Sequence, residues 1–251
     1  ELETKPGTER TLKVAPGVPL VLCWIPATTS EAWKRLSGGK DTFTMGSPDN
    51  EEGRSDDEGP QHEVRITKGF WLGKYEVTQG QWEAVMGTNP SHFRQGKTLG
   101  FFAGKTRPNH PVESVSWNDC QRFLDALQGR ITLGELRLPT EAEWEYACRA
   151  GTTGAYAGNV DEMAWYFMNS GWKTNPVGEK MANAWGLHDM HGNVWEWCED
   201  WEGAYSAGTA VDPKGASGGS YRVHRGGCWL HPASRCRSAD RFGLVPGDRG
   251  D

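Results

Sequence analysis

The chain has 251 residues and a formal net charge of −6, which argues against a partner held by phosphate contacts such as nucleic acid. No apolar run approaches the roughly 18 residues that span a membrane, and the polar opening ELETKPGTER is not a signal peptide. With 13 Trp, 33 Gly and 14 Pro, the composition describes a loop-rich globular chain whose core leans on aromatic rings. No repeat or Ser/Pro linker divides it, so a single domain over 1–251 is expected.

In chain order, VPLVLCWIPA (18–27) reads as a buried strand ended by Pro26, followed by a polar insertion (28–41) and a second strand, FTMGS (43–47). The acidic stretch 47–61 reads as a solvated loop, with a cation site as the alternative. Residues 62–78 alternate apolar and polar side chains as strands do. Thr78 and Gln81 form a capping box that opens a short helix, QGQWEAVM, ended by Gly87. Asn89–Pro90 marks a turn. Ser116 caps a second helix with Asp119 near its start and Phe123, Leu124 and Leu127 on one face. In RLPTEAEWEYACRAG (137–151), Thr140 caps, Glu143 completes the box, Trp144, Ala147 and Cys148 share a face, and Gly151 stops the helix. Beyond it lie only short strand-like pieces among Gly, Trp and Asn. Few helices, short strands and long ordered loops define an α+β class, and loops that long need a metal or aromatic pins.

The densest chemistry is GLHDMHGNVWEWCEDW (186–201). Trp195, Trp197 and Trp201 favour burial. Asp189, Glu196, Glu199 and Asp200 resist it unless a cation or donors satisfy them. Asp189 and Glu196 stand seven apart, and the carbonyls of Gly192 and Val194 can turn the same way if the segment curls, which is the hard-oxygen set calcium requires. A hydrogen-bonded loop without metal is the alternative. His188 and His191 read as hydrogen-bonded spacers. Six cysteines are spread without a CxxC pair, so a zinc knuckle is not expected; Cys198 with Cys236, and Cys120 with Cys148, are candidate disulfides that spacing alone does not fix. Their number leans the expected location toward the outside of the cytoplasm or the cell surface.

FWLGKYEVTQGQWEAVM, PVESVSWNDC, RLPTEAEWEYACRAG, NAWGLHDMHGNVWEWCEDW and RVHRGGCW follow one another as in the formylglycine-generating enzyme (sulfatase-modifying factor) family, which the chain resembles over about residues 18–245. The resemblance implies a C-type-lectin-like fold and carries calcium ligands onto Asp189, Gly192, Val194 and Glu196. A second calcium site of some relatives is not carried over, because 164–178 is shortened. Where this chain stops, at Asp251, the family usually continues into a short final strand with a GFR-type motif, which is expected to be absent here. The family holds copper-dependent oxidases, relatives in siderophore maturation, iron-dependent sulfoxide synthases, and binding proteins that include variable proteins of diversity-generating retroelements. No sulfoxide-synthase ligand pattern is present.

The oxidases carry a serine after Arg-Gly-Gly and two copper(I) cysteines five apart. Here Cys228 replaces the serine. Without gaps the first copper cysteine becomes His231 and the second Cys236, and about three deleted residues before RSADR (237–241) remove even that coincidence. Cys228, His231 and Cys236 are therefore candidates for a different soft-metal site, against the simpler reading of buried structural thiols. In family binding proteins the region after Arg-Gly-Gly forms the ligand-facing surface, which implies His224, Trp229, Leu230, His231, Asp240, Phe242 and Leu244 as ligand contacts. The leading expectation is a calcium-stabilised domain that binds a protein or small ligand through this segment without formylglycine-generating activity. The rival is a divergent copper oxidoreductase, or an enzyme of the siderophore-maturation type.

Overall fold

The structure is a computed structural model that describes residues 4–94, 105–131 and 134–250. In chain order the elements are β1 (Glu9–Ala15), β2 (Val18–Ile25), α1 (Glu31–Ser37), β3 (Phe43–Met45), β4 (His62–Arg65), β5 (Phe70–Gly73), α2 (Gln79–Met86), α3 (Trp117–Gln128) and α4 (Glu141–Arg149). After these come α5 (Val160–Met163), β6 (Glu196–Trp201), β7 (Ala210–Val211), β8 (Arg222–Arg225) and β9 (Arg241–Leu244). They make the expected α+β architecture of small sheets and few helices. Three sheets of three strands form, ordered β1-β2-β5, β3-β4-β7 and β6-β8-β9. All pairings are antiparallel except β4 with β7.

Local chemistry sets the helices. Thr78, Ser116 and Thr140 each accept from the third helical N–H, and Gln81, Asp119 and Glu143 reach back to the cap, as the capping boxes predict. Helix α4 ends one residue earlier than expected, with Ala150 itself in the left-handed conformation (φ 44°). Two elements were not legible beforehand. Strand β1 had no pattern to announce it, and the polar insertion folds as α1, capped by Ser30 and anchored by buried Trp33.

The main core gathers around α4, all nine of whose residues are buried. Trp33, Phe43, Tyr146 and Trp185 meet there edge-on or tilted, with ring centroids 4.8–6.3 Å apart. A helix this polar buries whole only because its charges are matched. Glu145 pairs with Arg149 at 2.9 Å and with buried Arg225, and Glu141 takes Arg241 through both oxygens at 2.7 and 2.8 Å. Burial alone raises the Glu141 carboxyl, but the charges of Arg241 and Arg225 outweigh it and hold it below its ordinary range. A second apolar cluster joins Trp82, Val85, Val112, Phe123 and Leu127.

The acidic stretch 47–61 is not a plain solvated loop. Glu58, fully buried, and Glu51 grip the guanidinium of Arg237 at 2.5–2.7 Å, so a side chain of the protein fills the place a cation would take. No disulfide joins the six cysteines, so neither expected pair forms. Cys148 contacts His191 and Ser238 instead, and Cys198 lies among Asp200, Glu141 and Arg225. Among the described residues no helix is long and apolar enough to cross a membrane.

Candidate functional site

Residues 186–194 form an irregular loop leading into β6, fixed by contacts on every side. Asp189 takes a left-handed conformation (φ 60°) and is buried. Its Oδ2 accepts the Gly178 N–H at 2.7 Å, while its Oδ1 is buried without a protein partner. Gly192 (φ 88°) donates to the Gly226 carbonyl at 2.7 Å, and a Cβ there would lie 2.2 Å from the Trp165 carbonyl oxygen, so only glycine fits. Glu196 Oε2 accepts from the Trp144 indole at 3.1 Å. His188 and His191 are hydrogen-bonded to the Lys180 and Cys236 carbonyls at 2.8 and 2.7 Å, and His191 also accepts the Ala157 N–H.

Sequence reading missed Glu76. Its two oxygens accept the Val194 N–H at 3.0 Å and the Asn193 side-chain amide at 2.7 Å, tying the loop to the segment before α2. The signal was present but weak: a carboxylate between Tyr75 and Val77 in a stretch patterned for burial. Glu76, Asp189 and Glu196 form a cluster of like charges. Burial pushes Glu196 up to about 7 and Asp189 up to about 6, and burial with the charges of Asp189 and Glu196 holds Glu76 well above its ordinary value. The orphaned buried oxygen of Asp189 fits a hard cation.

Of the three tryptophans here, only Trp197 enters the core; Trp195 and Trp201 stay half-buried. Arg222 lies over the Trp201 ring at 3.7 Å. Trp195 is the hinge between loop and C-terminal segment, with centroids 5.6 Å from His231 and 6.2 Å from Phe242.

The seven expected ligand contacts divide. Leu230 and Phe242 are exposed at 42% and 51%, and Trp229, His231 and Leu244 are half-buried. His224 and Asp240 do not belong with them. On the central strand β8, where Val223, His224 and Arg225 are all buried, His224 packs against Trp197 with ring centroids 3.5 Å apart, and burial lowers its pKa to about 3. Asp240, fully buried, pairs with Arg235 at 3.2 Å and Arg237 at 3.5 Å. The loop 166–172 supplies surface that sequence reading missed. The Phe167 N–H donates to the His231 carbonyl and the Ser170 hydroxyl to the Trp229 carbonyl, both at 2.9 Å. This places exposed Phe167, Met168 and Trp172 beside Leu230. Nothing in the period of AWYFMNSGW marks them.

The soft-metal candidates do come together. Cys228 Sγ lies 3.2 Å from His231 Nδ1, and Cys236 is close enough for the Cys228 charge to act on it. Both sulfurs are fully buried, and burial first, then Cys228 and Asp240, pushes the Cys236 thiol far up. Among the described residues no three His, Cys, Asp or Glu side chains are grouped to hold a metal. Calcium through two carboxylates and two carbonyls does not require such a group.

The profile of the sulfatase-modifying factor enzyme 1-like domain matches residues 27–251. The chain belongs to this formylglycine-generating enzyme family. It is 30% identical to the formylglycine-generating enzyme of Thermomonospora curvata over 272 aligned residues, covering 84% of this chain and 86% of that one. Among solved structures, Treponema denticola variable protein 1 superposes with a TM-score of 0.79 at 30% identity, covering 96% and 95% of the two chains. PvdO from Pseudomonas aeruginosa gives 0.75 at 30% identity, covering 99% and 96%. The family thus spans an enzyme and a variable protein at equal identity to this chain, and the choice between them rests on the site.

Proposed function

We propose that this member of the family is a calcium-stabilised, lectin-like binding domain that recognises a protein or small ligand through its C-terminal segment, without formylglycine-generating activity. The observation that carries the reading is the contrast at that segment: Leu230 and Phe242 stand exposed, Phe242 against Trp195, while Cys228 and Cys236 are sealed from solvent. Thiolates that bind copper(I) and reach a substrate need access and a lowered pKa, and burial opposes both. Exposed apolar side chains backed by half-buried Trp229, His231 and Leu244 suit recognition. The likeness to a variable protein over nearly the whole chain supports a binding role, and membership of a retroelement-diversified set is part of the proposal.

Calcium would be held by the side chains of Asp189 and Glu196 and the carbonyls of Gly192 and Val194. When bound, it would neutralise the carboxylate cluster and lock the loop. Glu76 holds the Asn193–Val194 backbone in place, and Trp195 on that backbone carries the order to His231 and Phe242.

The test is incubation of copper-loaded protein with a Cys-x-Pro-x-Arg peptide, read by mass spectrometry. The expected result is unmodified cysteine; formylglycine in the peptide overturns the reading. One observation favours the rival oxidase, the 3.2 Å contact between Cys228 and His231 beside Cys236. Stoichiometric copper(I) binding that disappears in Cys228→Ser or Cys236→Ser would establish it.

A further inference from the structure

Between the two apolar clusters the packing does not close. A half-open cleft of about 460 Å³ lies between β2 and β5 on one side, α3 and residues 136–139 on the other, and Trp195 and Trp197 at one end. Protein interiors seldom leave voids larger than a water molecule, whereas sites for small organic ligands run from about 300 to 1,000 Å³. The walls are apolar: Leu22, Leu72, Val115, Phe123, Leu124 and Leu138 all face the space. Leu124 and Leu138 remain half-buried despite their chemistry, because the cleft stands where packing partners would be.

The charges on the walls select the ligand. Glu76, Glu135, Glu143 and Glu196 line the cleft, against a single Lys or Arg among the described residues, Arg137. Its guanidinium is taken by both oxygens of Glu143 at 2.6 and 2.7 Å and also donates to the Leu138 carbonyl. A fatty acid or other organic anion would find no vacant cation, and burying its charge without one is costly. The walls have no such quarrel with an uncharged apolar molecule.

We infer that this cleft is a second binding site, one that takes an uncharged, largely apolar small molecule. The site goes beyond the C-terminal surface and uses different residues. Trp195 touches both, since its ring lines the cleft and packs against His231 and Phe242.

The experiment titrates the full chain, in calcium buffer, with N-phenyl-1-naphthylamine, an uncharged probe that brightens in apolar surroundings. A parallel titration uses 1-anilinonaphthalene-8-sulfonate, which adds a sulfonate to the same ring frame. Saturable one-to-one binding of the uncharged probe is expected, with the sulfonate weaker by about tenfold or more. Leu124→Trp and Leu138→Trp, on separate elements, fill the cleft and should each weaken the uncharged probe by about tenfold. Leu36→Ser, exposed on α1 and away from the cleft, should leave it unchanged. Absence of saturable binding, equal binding of the two probes, full binding by a folded filled variant, or loss of binding in Leu36→Ser would each overturn the inference. The two-probe comparison on the unaltered protein decides the matter even where a filled variant fails to fold, and it is independent of the copper and peptide assay.

Discussion

Two buried polar clusters sit on either side of Trp195, and burial means something different in each. In the loop before β6, Glu76, Asp189 and Glu196 are acids crowded together, and one oxygen of Asp189 has no partner. At the turn after β8, Cys228, His231 and Cys236 are also crowded, yet a thiol is at ease in its neutral form and needs no counter-charge. Burial raises the proton affinity of the three carboxylates and of the Cys236 thiol. For carboxylates this leaves a deficit that a cation removes, and for thiols it suppresses the reactive form. A cluster of metal-ligating residue types is thus read by its unsatisfied atoms rather than by its membership.

The comparison breaks most directly at the acids. Calcium at about 100 times its dissociation constant should stabilise the domain by about 2.7 kcal/mol. For a chain of this size that corresponds to a rise of about 5–10 °C in melting temperature. Chelation should reverse the rise, and Asp189→Ala should abolish it while leaving a folded protein, as scanning calorimetry with and without calcium would record. An unchanged melting curve on calcium addition would return the loop to a purely hydrogen-bonded role.

The next effect concerns His224, buried against Trp197 without an ionic partner. Its folded-state pKa of about 3 lies below the ordinary 6.5, so the folded protein favours the neutral ring. The stability this supports is complete above pH 6.5 and is lost as pH falls toward 3, because the unfolded chain takes up the proton first. At pH 5 the loss from this one residue is about 2 kcal/mol. His224→Phe should shrink the drop in denaturant midpoint between pH 7 and pH 5 by that amount in calcium buffer. A pH dependence equal to that of the unaltered protein would mean the ring charges where it lies.

Much of this was legible in sequence, and what was not has a physical pattern. The capping boxes at Thr78, Ser116 and Thr140 were readable because a cap and its third residue are local. The order of motifs carried the family and its fold. The same local logic failed wherever a partner is distant. Glu58 and Glu51 looked like solvated acids because Arg237, nearly 180 positions away, is not visible from them. Asp240 is misplaced for another reason, since its partners Arg235 and Arg237 are local but its burial is not visible in the segment, and Glu76 is hidden inside an alternating strand pattern. The segment suggests a surface place for His224, whereas the central position of β8 between β6 and β9 buries Val223, His224 and Arg225 alike. The apolar loop 166–172 has no period to read, and only its hydrogen bonds to 229 and 231 place it.

At the thiols the expected effects are small. Iodoacetamide should leave Cys228 and Cys236 unmodified in the native protein and label both in denaturant, followed by peptide mapping. Cys236→Ala should change calcium affinity by less than about twofold, since the two clusters use different atoms. Rapid native labelling of either cysteine would mean that the turn opens to solvent and would move the comparison toward the oxidase.

The smallest effect on the fold should come from the surface that the proposed function uses most. Leu230 and Phe242 are large apolar side chains standing in water, so replacing them removes little that holds the domain together. Leu230→Asp and Phe242→Ser should each leave stability within about 0.5 kcal/mol and calcium affinity unchanged. A charge or a hydroxyl in the middle of an apolar contact nevertheless strands a polar group when a partner covers it, so binding should fall by about tenfold or more. Surface plasmon resonance against a ligand captured by the unaltered domain, run beside melting curves of the same samples, separates the two readouts. A loss of stability matching the loss of binding would mean that the segment serves the fold. Loss of binding alone is what a recognition surface, held in place by the loop before β6 through Trp195, requires.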